Sequence, residues 1–337
     1  MTGRRGEKQK GRGGEGEMEG AHAQRMEVQL GPLRLKNPIL TASGTFGYGL
    51  EFTDFVDLSR LGGICTKGLS LLPHAGNVPP RICETPAGML NAIGLQNIGV
   101  EAFLREKLPA LRGLGATVIA NVWGDLEEDY VAVVRALEEA EGLAAIELNI
   151  SCPNVEKGGM LFGNSPRATA SLVARVRAAT ERPLIVKLSP NAPDVVLSAR
   201  AAREAGADVL SLVNTFVGMA IDPETALPRL SFGTGGLSGP AIKPLAVRMV
   251  FQVARALPGV PIIGIGGISD LPDILEFLVA GATAVQVGTA NFKEPGVSGR
   301  LVSELDAYCK ERGVAAVDLV GRAHRGGALP LDAGAEG

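Results

Sequence analysis

Side chains that can do chemistry follow several short apolar segments of this 337-residue chain. Lys67 and Lys187 end two such segments, Asn149 ends a third, and Cys152 follows three residues later. A lysine that is shielded from water needs an anionic partner, whereas an asparagine side chain both donates and accepts hydrogen bonds. A cysteine held against a substrate can remove a proton from carbon. This set of residues therefore predicts a site that binds an anion and moves a proton.

Each of these residue types also has a purely structural interpretation. The lysines could pair with a core carboxylate such as Glu147 instead of a bound phosphate or a carboxylate substrate. The asparagines could tie loop backbone into turns, instead of matching the alternating donors and acceptors of a uracil-like ring. A loop cysteine is commonly inert, but the segment Asn-Ile-Ser-Cys-Pro-Asn at 149–154 favours a functional Cys152. The other cysteines are interpreted as small buried or incidental thiols: Cys65, Cys83 and Cys309.

Glycines mark the ends of the last two apolar segments. Gly266 and Gly267 follow one of them, and Gly288 with Thr289 follows the other. Glycine lets the backbone approach an anion closely, and barrels commonly bind phosphate after their last two strands. We interpret these glycines as a phosphate site, with a tight turn as the alternative.

The elements that must position these residues form a repeating strand–helix pattern. Continuous apolar runs are typical of a parallel sheet covered by helices, and the predicted strands are Ile39–Ala42, Gly63–Lys67, Thr117–Asn121, Ala145–Asn149, Leu184–Leu188, Val209–Val213, Pro261–Gly264 and Ala284–Val287. Eight such units predict an α/β fold, a single (β/α)8 TIM barrel, with an N-terminal β-hairpin at Val28–Leu35. A doubly wound open sheet is the alternative, but residues 43–47 lack its glycine spacing.

Two long connections follow the second and sixth predicted strands, at 68–99 and 214–240. Such loops lie at the catalytic face of a barrel, so we expect them to form ordered walls or lids of the site. The barrel is predicted over residues 26–320. Residues 1–25 are rich in glycine and charge and predict a disordered tail, and residues 321–337 predict a flexible C-terminal tail.

The composition argues against several classes of function. A net charge of −3 without a broad basic field argues against nucleic acid as a partner. No segment approaches the roughly 18 consecutive apolar residues that a membrane span requires. Only three histidines occur, outside any dense motif, so no metal site is expected. The four cysteines are too far apart for a disulfide framework, which favours a reducing, cytoplasmic compartment.

Seven motifs together resemble those of dihydroorotate dehydrogenase, over about residues 26–319. They are Ala-Ser-Gly-Thr-Phe-Gly at 42–47, Thr-Lys-Gly at 66–68, Asn-Ala-Ile-Gly-Leu-Gln-Asn at 91–97, Asn-Ile-Ser-Cys-Pro-Asn at 149–154, Val-Asn-Thr at 213–215, Gly-Leu-Ser-Gly-Pro at 236–240 and Ile-Gly-Gly at 265–267. The segments 91–97 and 149–154 are highly specific in combination. Ile98 departs from the pattern, which has proline there, and this affects only the local turn.

The resemblance implies an FMN enzyme of pyrimidine biosynthesis that oxidises L-dihydroorotate to orotate. The implied FMN contacts are Ser43, Lys67, Gly68, Asn121, Asn149, Lys187, Val213, Gly239, Gly266, Gly267, Gly288 and Thr289. The implied substrate contacts are Lys67, Asn91, Ala92, Ile93, Gly94, Leu95, Asn149, Asn154, Asn214 and Thr215. The implied catalytic residues are Cys152, which takes the C5 proton, and Lys67, which with Lys187 stabilises negative charge on the reduced flavin and orotate.

Within this family, the sequence features indicate the NAD-linked class. The membrane-bound class has a serine at the position of Cys152 and an amphipathic N-terminal extension, whereas residues 1–25 are hydrophilic. Residues 155–163 resemble the NAD-linked class, and the fumarate-using homodimer is the alternative. The chain has neither closely spaced cysteines for a [2Fe–2S] cluster nor a dinucleotide fingerprint. The resemblance therefore implies a homodimer that pairs, as a heterotetramer, with a subunit carrying FAD and the iron–sulfur cluster.

Two rivals belong to other functional classes. A tRNA dihydrouridine synthase is also an FMN barrel with a loop cysteine, but it needs a basic RNA-binding surface and usually an extra helical domain. A barrel without activity could serve as a binding scaffold, but it would not need Cys152 together with both lysines.

Overall fold

A closed parallel barrel forms the centre of the molecule, for which a computed structural model describes residues 25–151 and 162–326. In chain order, the first to eighth barrel strands are Ile39–Thr41, Gly63–Cys65, Val118–Val122, Leu143–Asn149, Leu184–Lys187, Val209–Leu212, Ile262–Ile265 and Ala284–Val287. Each strand pairs with its neighbours in sequence, and the eighth pairs with the first. The predicted (β/α)8 barrel is confirmed.

Helices surround the barrel and bury one face each against it. The longer ones are Leu108–Gly113, Glu127–Glu138, Pro166–Arg177, Val195–Glu204, Lys243–Ala256, Leu271–Ala280 and Val297–Arg312; the first continues Val100–Ala102 through a π-helical turn at Phe103–Lys107. Shorter helices lie at Ala290–Lys293 and Ala316–Leu319. Side chains cap the N-termini of several of these helices. Asp194, for example, accepts hydrogen bonds from the backbone N–H groups of Val196 and Leu197, as expected of an N-cap.

The N-terminal hairpin closes one end of the barrel. Its strands, Val28–Leu30 and Leu33–Leu35, pair antiparallel as predicted. Gly31, at the turn, lies against Asp208, because a Cβ added there would be 3.3 Å from the Asp208 carbonyl oxygen. Asp208 immediately precedes the sixth strand, so the hairpin covers the N-terminal end of the barrel. It leaves the opposite rim, at the C-terminal ends of the strands, uncovered.

The two long connections join above the C-terminal rim in a four-stranded antiparallel sheet. Its strands, in spatial order, are Phe216–Met219, Thr234–Ser238, Gly88–Asn91 and Ile82–Thr85. Two further short strands, Ile221–Asp222 and Leu227–Pro228, pair beside it. The sequence predicted ordered walls but no sheet here, because glycines interrupt the alternation that identifies a strand. The sheet fixes both walls of the site to each other.

The described chain continues past the predicted end of the barrel at residue 320. Arg322–His324 forms a 3-10 turn, and the His324 ring stacks on Phe251 with centroids 4.2 Å apart. Residues 321–326 therefore pack against the barrel helices. Residues 1–24 and 327–337 lie outside the described part. None of the described helices has the length and apolar character that crossing a membrane requires.

Candidate active site

The polar residues singled out in the sequence lie around one rim of the barrel. Asn121, Asn149 and Lys187 lie at or near the ends of the third, fourth and fifth strands, and Lys67 and Asn214 follow the second and sixth. Because the strands are parallel and closed, these positions face the same end of the barrel. Cys152 and Asn154, the predicted base and a predicted substrate contact, lie outside the described residues.

Asn149 and Asn214 form a direct pair across this rim. The Asn214 Nδ2 donates to Asn149 Oδ1 at 3.0 Å, and the Ser151 backbone N–H donates to the same oxygen at 3.3 Å. The Tyr130 hydroxyl donates to the Asn149 carbonyl at 2.7 Å, while Asn214 Oδ1 accepts from Thr215 N at 2.8 Å. The two amides are therefore held in fixed orientations.

Lys67 brings to the rim a positive charge that has no close carboxylate partner among the described residues. Its ammonium group makes no hydrogen bond or ion pair of 4.0 Å or less with any residue in the described ranges, although the side chain is partly buried. Burial lowers the pKa of Lys67, the nearby Arg81 lowers it further, and the Glu51 carboxylate opposes both. The alternative of a carboxylate ion pair is thus not seen for Lys67 in this part of the chain, and an anionic ligand would satisfy it.

Lys187 differs, because it does face a core carboxylate. Its Nζ lies 3.8 Å from Glu147 Oε1, and both side chains are almost completely buried. This separation is within the range of a strong electrostatic interaction but too long for a hydrogen bond. The structural interpretation of Lys187 as a partner of Glu147 is therefore confirmed, and the ammonium group makes no hydrogen bond with any of the described residues.

Asn121 places an unsatisfied acceptor beside Gly68. Its Nδ2 donates to Glu147 at 2.8 Å, whereas its Oδ1 is buried without a hydrogen-bond partner in the described structure. A Cβ added to Gly68 would lie 2.9 Å from this Oδ1, so only glycine allows the close approach. Buried polar atoms normally have partners; a ligand donor at the rim would supply one.

Three glycines with positive φ converge on the phosphate site predicted after the last two strands. The φ angles are +132° at Gly266, +73° at Gly267 and +95° at Gly239. A Cβ on Gly267 would lie 3.0 Å from the Gly239 carbonyl oxygen and 2.7 Å from Lys243 Cβ. The packing leaves no room for a side chain at Gly267, and the helix Lys243–Ala256 starts beside it.

The eighth strand completes this region. Thr289 donates its hydroxyl to Ser238 Oγ at 2.8 Å, which links the eighth strand to the four-stranded sheet. A Cβ on Gly288 would lie 3.5 Å from Ala42 Cβ, so the loop containing Ser43 adjoins Gly288. Val213, a predicted cofactor contact, is buried and directly follows the sixth strand.

Residues 91–95 form a wall held by neighbouring backbone. Asn77 Nδ2 donates to the Ala92 carbonyl at 3.0 Å, and Asn91 Nδ2 donates to the Gly236 carbonyl at 3.3 Å. Gly94 and Leu95 have φ angles of +71° and +57°. Gly236 also adjoins Thr215, since a Cβ there would lie 2.1 Å from Thr215 Oγ1. The sheet therefore brings the predicted substrate contacts Asn91–Leu95 and Thr215 together.

Comparison with known proteins identifies the family of this chain. Residues 25–308 match the family described as dihydroorotate dehydrogenase. The chain belongs to the dihydroorotate dehydrogenase family. The family match confirms the resemblance that the seven motifs indicated.

Three relatives of this family carry the name dihydroorotate dehydrogenase B (NAD(+)), catalytic subunit. The proteins from Trichlorobacter lovleyi, Pelobacter propionicus and Geobacter sulfurreducens are 55%, 56% and 54% identical to this chain. Each comparison spans 297 residues, which is 88% of this chain and 97% of the relative. The similarity therefore includes the barrel and both long connections.

The geometry suits a ligand that carries both a phosphate group and a heterocycle. The glycine cradle formed by Gly239, Gly266 and Gly267 suits a phosphate. The buried Asn121 Oδ1 suits a heterocycle with N–H donors, and Lys67 suits a ligand that carries or gains negative charge. Sequence reasoning did not identify the other residues around Glu147, which are Cys65, Ser211 and Gln286. Their only signal was polar side chains within otherwise apolar strands. No group of metal-binding side chains occurs in residues 25–151 and 162–326.

Proposed function

We propose that this chain is the FMN-binding catalytic subunit of an NAD-linked dihydroorotate dehydrogenase and oxidises L-dihydroorotate to orotate. The observation that carries the proposal is Lys67, a partly buried ammonium without an anionic partner in the described structure, at the rim that holds the Asn149–Asn214 pair. The orotate carboxylate and a reduced flavin would both supply the missing charge. The names of the three relatives support the NAD-linked class.

The rim residues would hold FMN in two parts. The phosphate contacts proposed are Gly239, Gly266, Gly267, Gly288 and Thr289. The ring contacts proposed are Ser43, Lys67, Gly68, Asn121, Asn149, Lys187 and Val213. FMN supplies, when bound, the two-electron acceptor that amino-acid side chains lack. The chain contributes position and charge: Lys67 and Lys187 stabilise negative charge as it develops.

The substrate would lie between the ring site and the wall at residues 91–95. Lys67 binds its carboxylate, and the neutral amides of Asn91, Asn149, Asn154 and Asn214, with Thr215, match its ring edge. Cys152, as thiolate, would accept the proton from C5, and the C6 hydrogen would leave with its bonding pair as a hydride, for which FMN is the acceptor, so that the C5–C6 double bond of orotate forms. A thiol has an ordinary pKa near 8.5, and a nearby cation would lower the pKa and favour the reactive thiolate.

A second kind of subunit would take the electrons to NAD. The relatives' name, catalytic subunit, implies a second kind of subunit. We propose that this partner subunit carries FAD and a [2Fe–2S] cluster, and that it forms a heterotetramer with a homodimer of the protein described here. The connection at 214–240 offers apolar surface for contacts with this partner subunit. Its exposed apolar side chains are Val217, Met219, Ile221, Leu227 and Phe232, each with about half or more of its surface accessible.

An anaerobic reduction experiment tests the proposal. The purified chain should show a flavin spectrum, and L-dihydroorotate should rapidly bleach the visible flavin absorbance. A yellow protein that dihydroorotate does not bleach would overturn the assignment of dihydroorotate as the substrate, and RNA or other enoyl-type substrates would be tested next. Rapid fumarate reduction by the isolated chain, unaffected by a co-expressed iron–sulfur subunit, would overturn the NAD-linked class.

A further inference from the structure

A completely buried carboxylate lies at the centre of the barrel, below the rim. Glu147 belongs to the fourth strand and has no accessible surface. Burying a carboxylate requires partners that replace its water, and four other strands provide them. The donors are Cys65 Sγ at 3.1 Å, Asn121 Nδ2 at 2.8 Å, Ser211 Oγ at 3.0 Å and Gln286 Nε2 at 2.8 Å.

The partners of Glu147 are those of a charged carboxylate. Each oxygen accepts two hydrogen bonds, and the amide N–H groups of Asn121 and Gln286 can only donate. Burial raises the pKa of the Cys65 thiol well above its ordinary value, and the charge of Glu147 acts in the same direction. The thiol therefore keeps its proton and serves as a donor. Lys187, at 3.8 Å, supplies the compensating positive charge.

This arrangement fixes the orientation of the Asn121 amide. Because its N–H group faces Glu147, its carbonyl oxygen must point away from the carboxylate. That oxygen is the buried atom without a partner in the described structure, beside Gly68 at the rim. A neutral group in place of Glu147 would remove the reason for this orientation.

Glu147 also determines how much of the Lys187 charge a ligand at the rim experiences. An ammonium next to a carboxylate presents a nearly neutral pair, and electrostatic interactions are strong in a buried, water-poor environment. Without Glu147, Lys187 would act on the rim with its full charge. A flavin gains negative charge on reduction, so its reduction potential reports this difference.

We propose that Glu147 is a positioning residue that orients Asn121 toward the flavin and, by compensating Lys187, keeps the flavin reduction potential lower than Lys187 alone would make it. The inference rests on the proposed function, because FMN is the group that these residues would hold. Glu147 itself touches neither flavin nor substrate in this scheme. Its effect passes through Asn121 and Lys187.

The test compares Glu147→Gln with Glu147→Asp and Ser211→Ala. The midpoint potential of bound FMN is measured by anaerobic dithionite titration against a reference dye, FMN affinity by fluorescence and stability by thermal unfolding. Glu147→Gln should shift the midpoint to a more positive value and weaken FMN binding about tenfold, the equivalent of one or two lost hydrogen bonds. Glu147→Asp keeps the charge and Ser211→Ala removes only one donor, so both should keep the wild-type midpoint.

A purely structural role predicts a different result. In that case Glu147→Gln lowers the unfolding temperature but leaves the midpoint unchanged, and the inference is overturned. Dithionite reduction does not require substrate, so this failure is distinct from failure of dihydroorotate to bleach the wild-type protein.

A double variant covers loss of folding, because removing one partner of a buried ion pair is strongly destabilising. Lys187→Met combined with Glu147→Gln removes both charges together, so its midpoint should stay close to that of the wild-type protein. A midpoint of the double variant far below the wild-type value would show that Glu147 does not compensate Lys187 and would overturn the inference.

Discussion

Asn214 Nδ2 donates a hydrogen bond of 3.0 Å to Asn149 Oδ1, and this contact joins residues that are 65 positions apart. The two amides come from the ends of the sixth and fourth barrel strands, which are separated by the fifth. Within the described residues the contact leaves Asn149 Nδ2 without a hydrogen-bond acceptor. The orientation of the Asn149 amide, a predicted contact of cofactor and substrate, therefore depends on the presence of Asn214, a predicted substrate contact.

Replacing Asn214 should weaken substrate binding through this pair. Asn214→Ala removes a hydrogen bond to Asn149 and the proposed substrate contact, each worth about 1 kcal/mol, so we expect a roughly tenfold or greater rise in KM for dihydroorotate. Asn214→Asp keeps the acceptor for the Thr215 backbone but loses the donor to Asn149. If Asn214→Asp retained wild-type KM, the contact with Asn149 would be irrelevant to binding.

Cys152 should act as the base of the reductive half-reaction. We expect Cys152→Ala to retain FMN and to lose about 10²–10⁴-fold in the rate of flavin bleaching by dihydroorotate at neutral pH, the usual contribution of a positioned base. Stopped-flow absorbance measures this rate. Cys309→Ala is the matched control, because Cys309 is a buried thiol on the last long helix. Unchanged bleaching in Cys152→Ala would assign the proton transfer to another group.

Lys67 should give ligand binding a distinctive dependence on pH. Burial lowers its pKa below the ordinary 10.5, so the ammonium loses its proton at a lower pH than a solvent-exposed lysine. A bound anion stabilises the charged form, and orotate affinity should therefore fall as the pH rises through the pKa of the free protein. Titrating the flavin spectrum with orotate at several pH values measures this affinity.

Lys67→Arg provides the comparison, since a guanidinium stays protonated throughout this range. Its orotate affinity should be independent of pH at values where the wild-type affinity declines. The same alkaline decline in both proteins would show that another group controls binding.

Gly267 should be required for the cofactor more than for the fold. Gly267→Ala introduces a Cβ 2.7 Å from Lys243 Cβ and 3.0 Å from the Gly239 carbonyl oxygen, so FMN affinity should fall by at least about tenfold as the cradle shifts. Gly259→Ala is the matched control: its φ of +82° imposes similar backbone strain, but nothing lies within 4 Å of the added Cβ. Fluorescence titration with FMN compares the two variants. Equal affinities would place the phosphate elsewhere.

The sequence predicted the barrel strands closely because their signal is local. The eighth strand, Ala284–Val287, agrees with the structure residue for residue, and the other strands differ only at their ends. A continuous apolar run can be buried only between covering helices, and eight such units permit few other folds. The four-stranded sheet over the rim was not predicted, because its strands come from two connections more than 100 positions apart.

By itself, the sequence determined the fold class, the positions of polar residues at strand ends and the family, since these depend on residue type and local spacing. The tertiary structure decided which of these residues meet. Lys67 and Lys187 look equivalent in the sequence, yet only Lys187 has a carboxylate partner in the described chain. The cluster around Glu147 draws on strands up to 139 positions away. Such contacts depend on how the barrel closes and on the register between strands, and no local pattern specifies them.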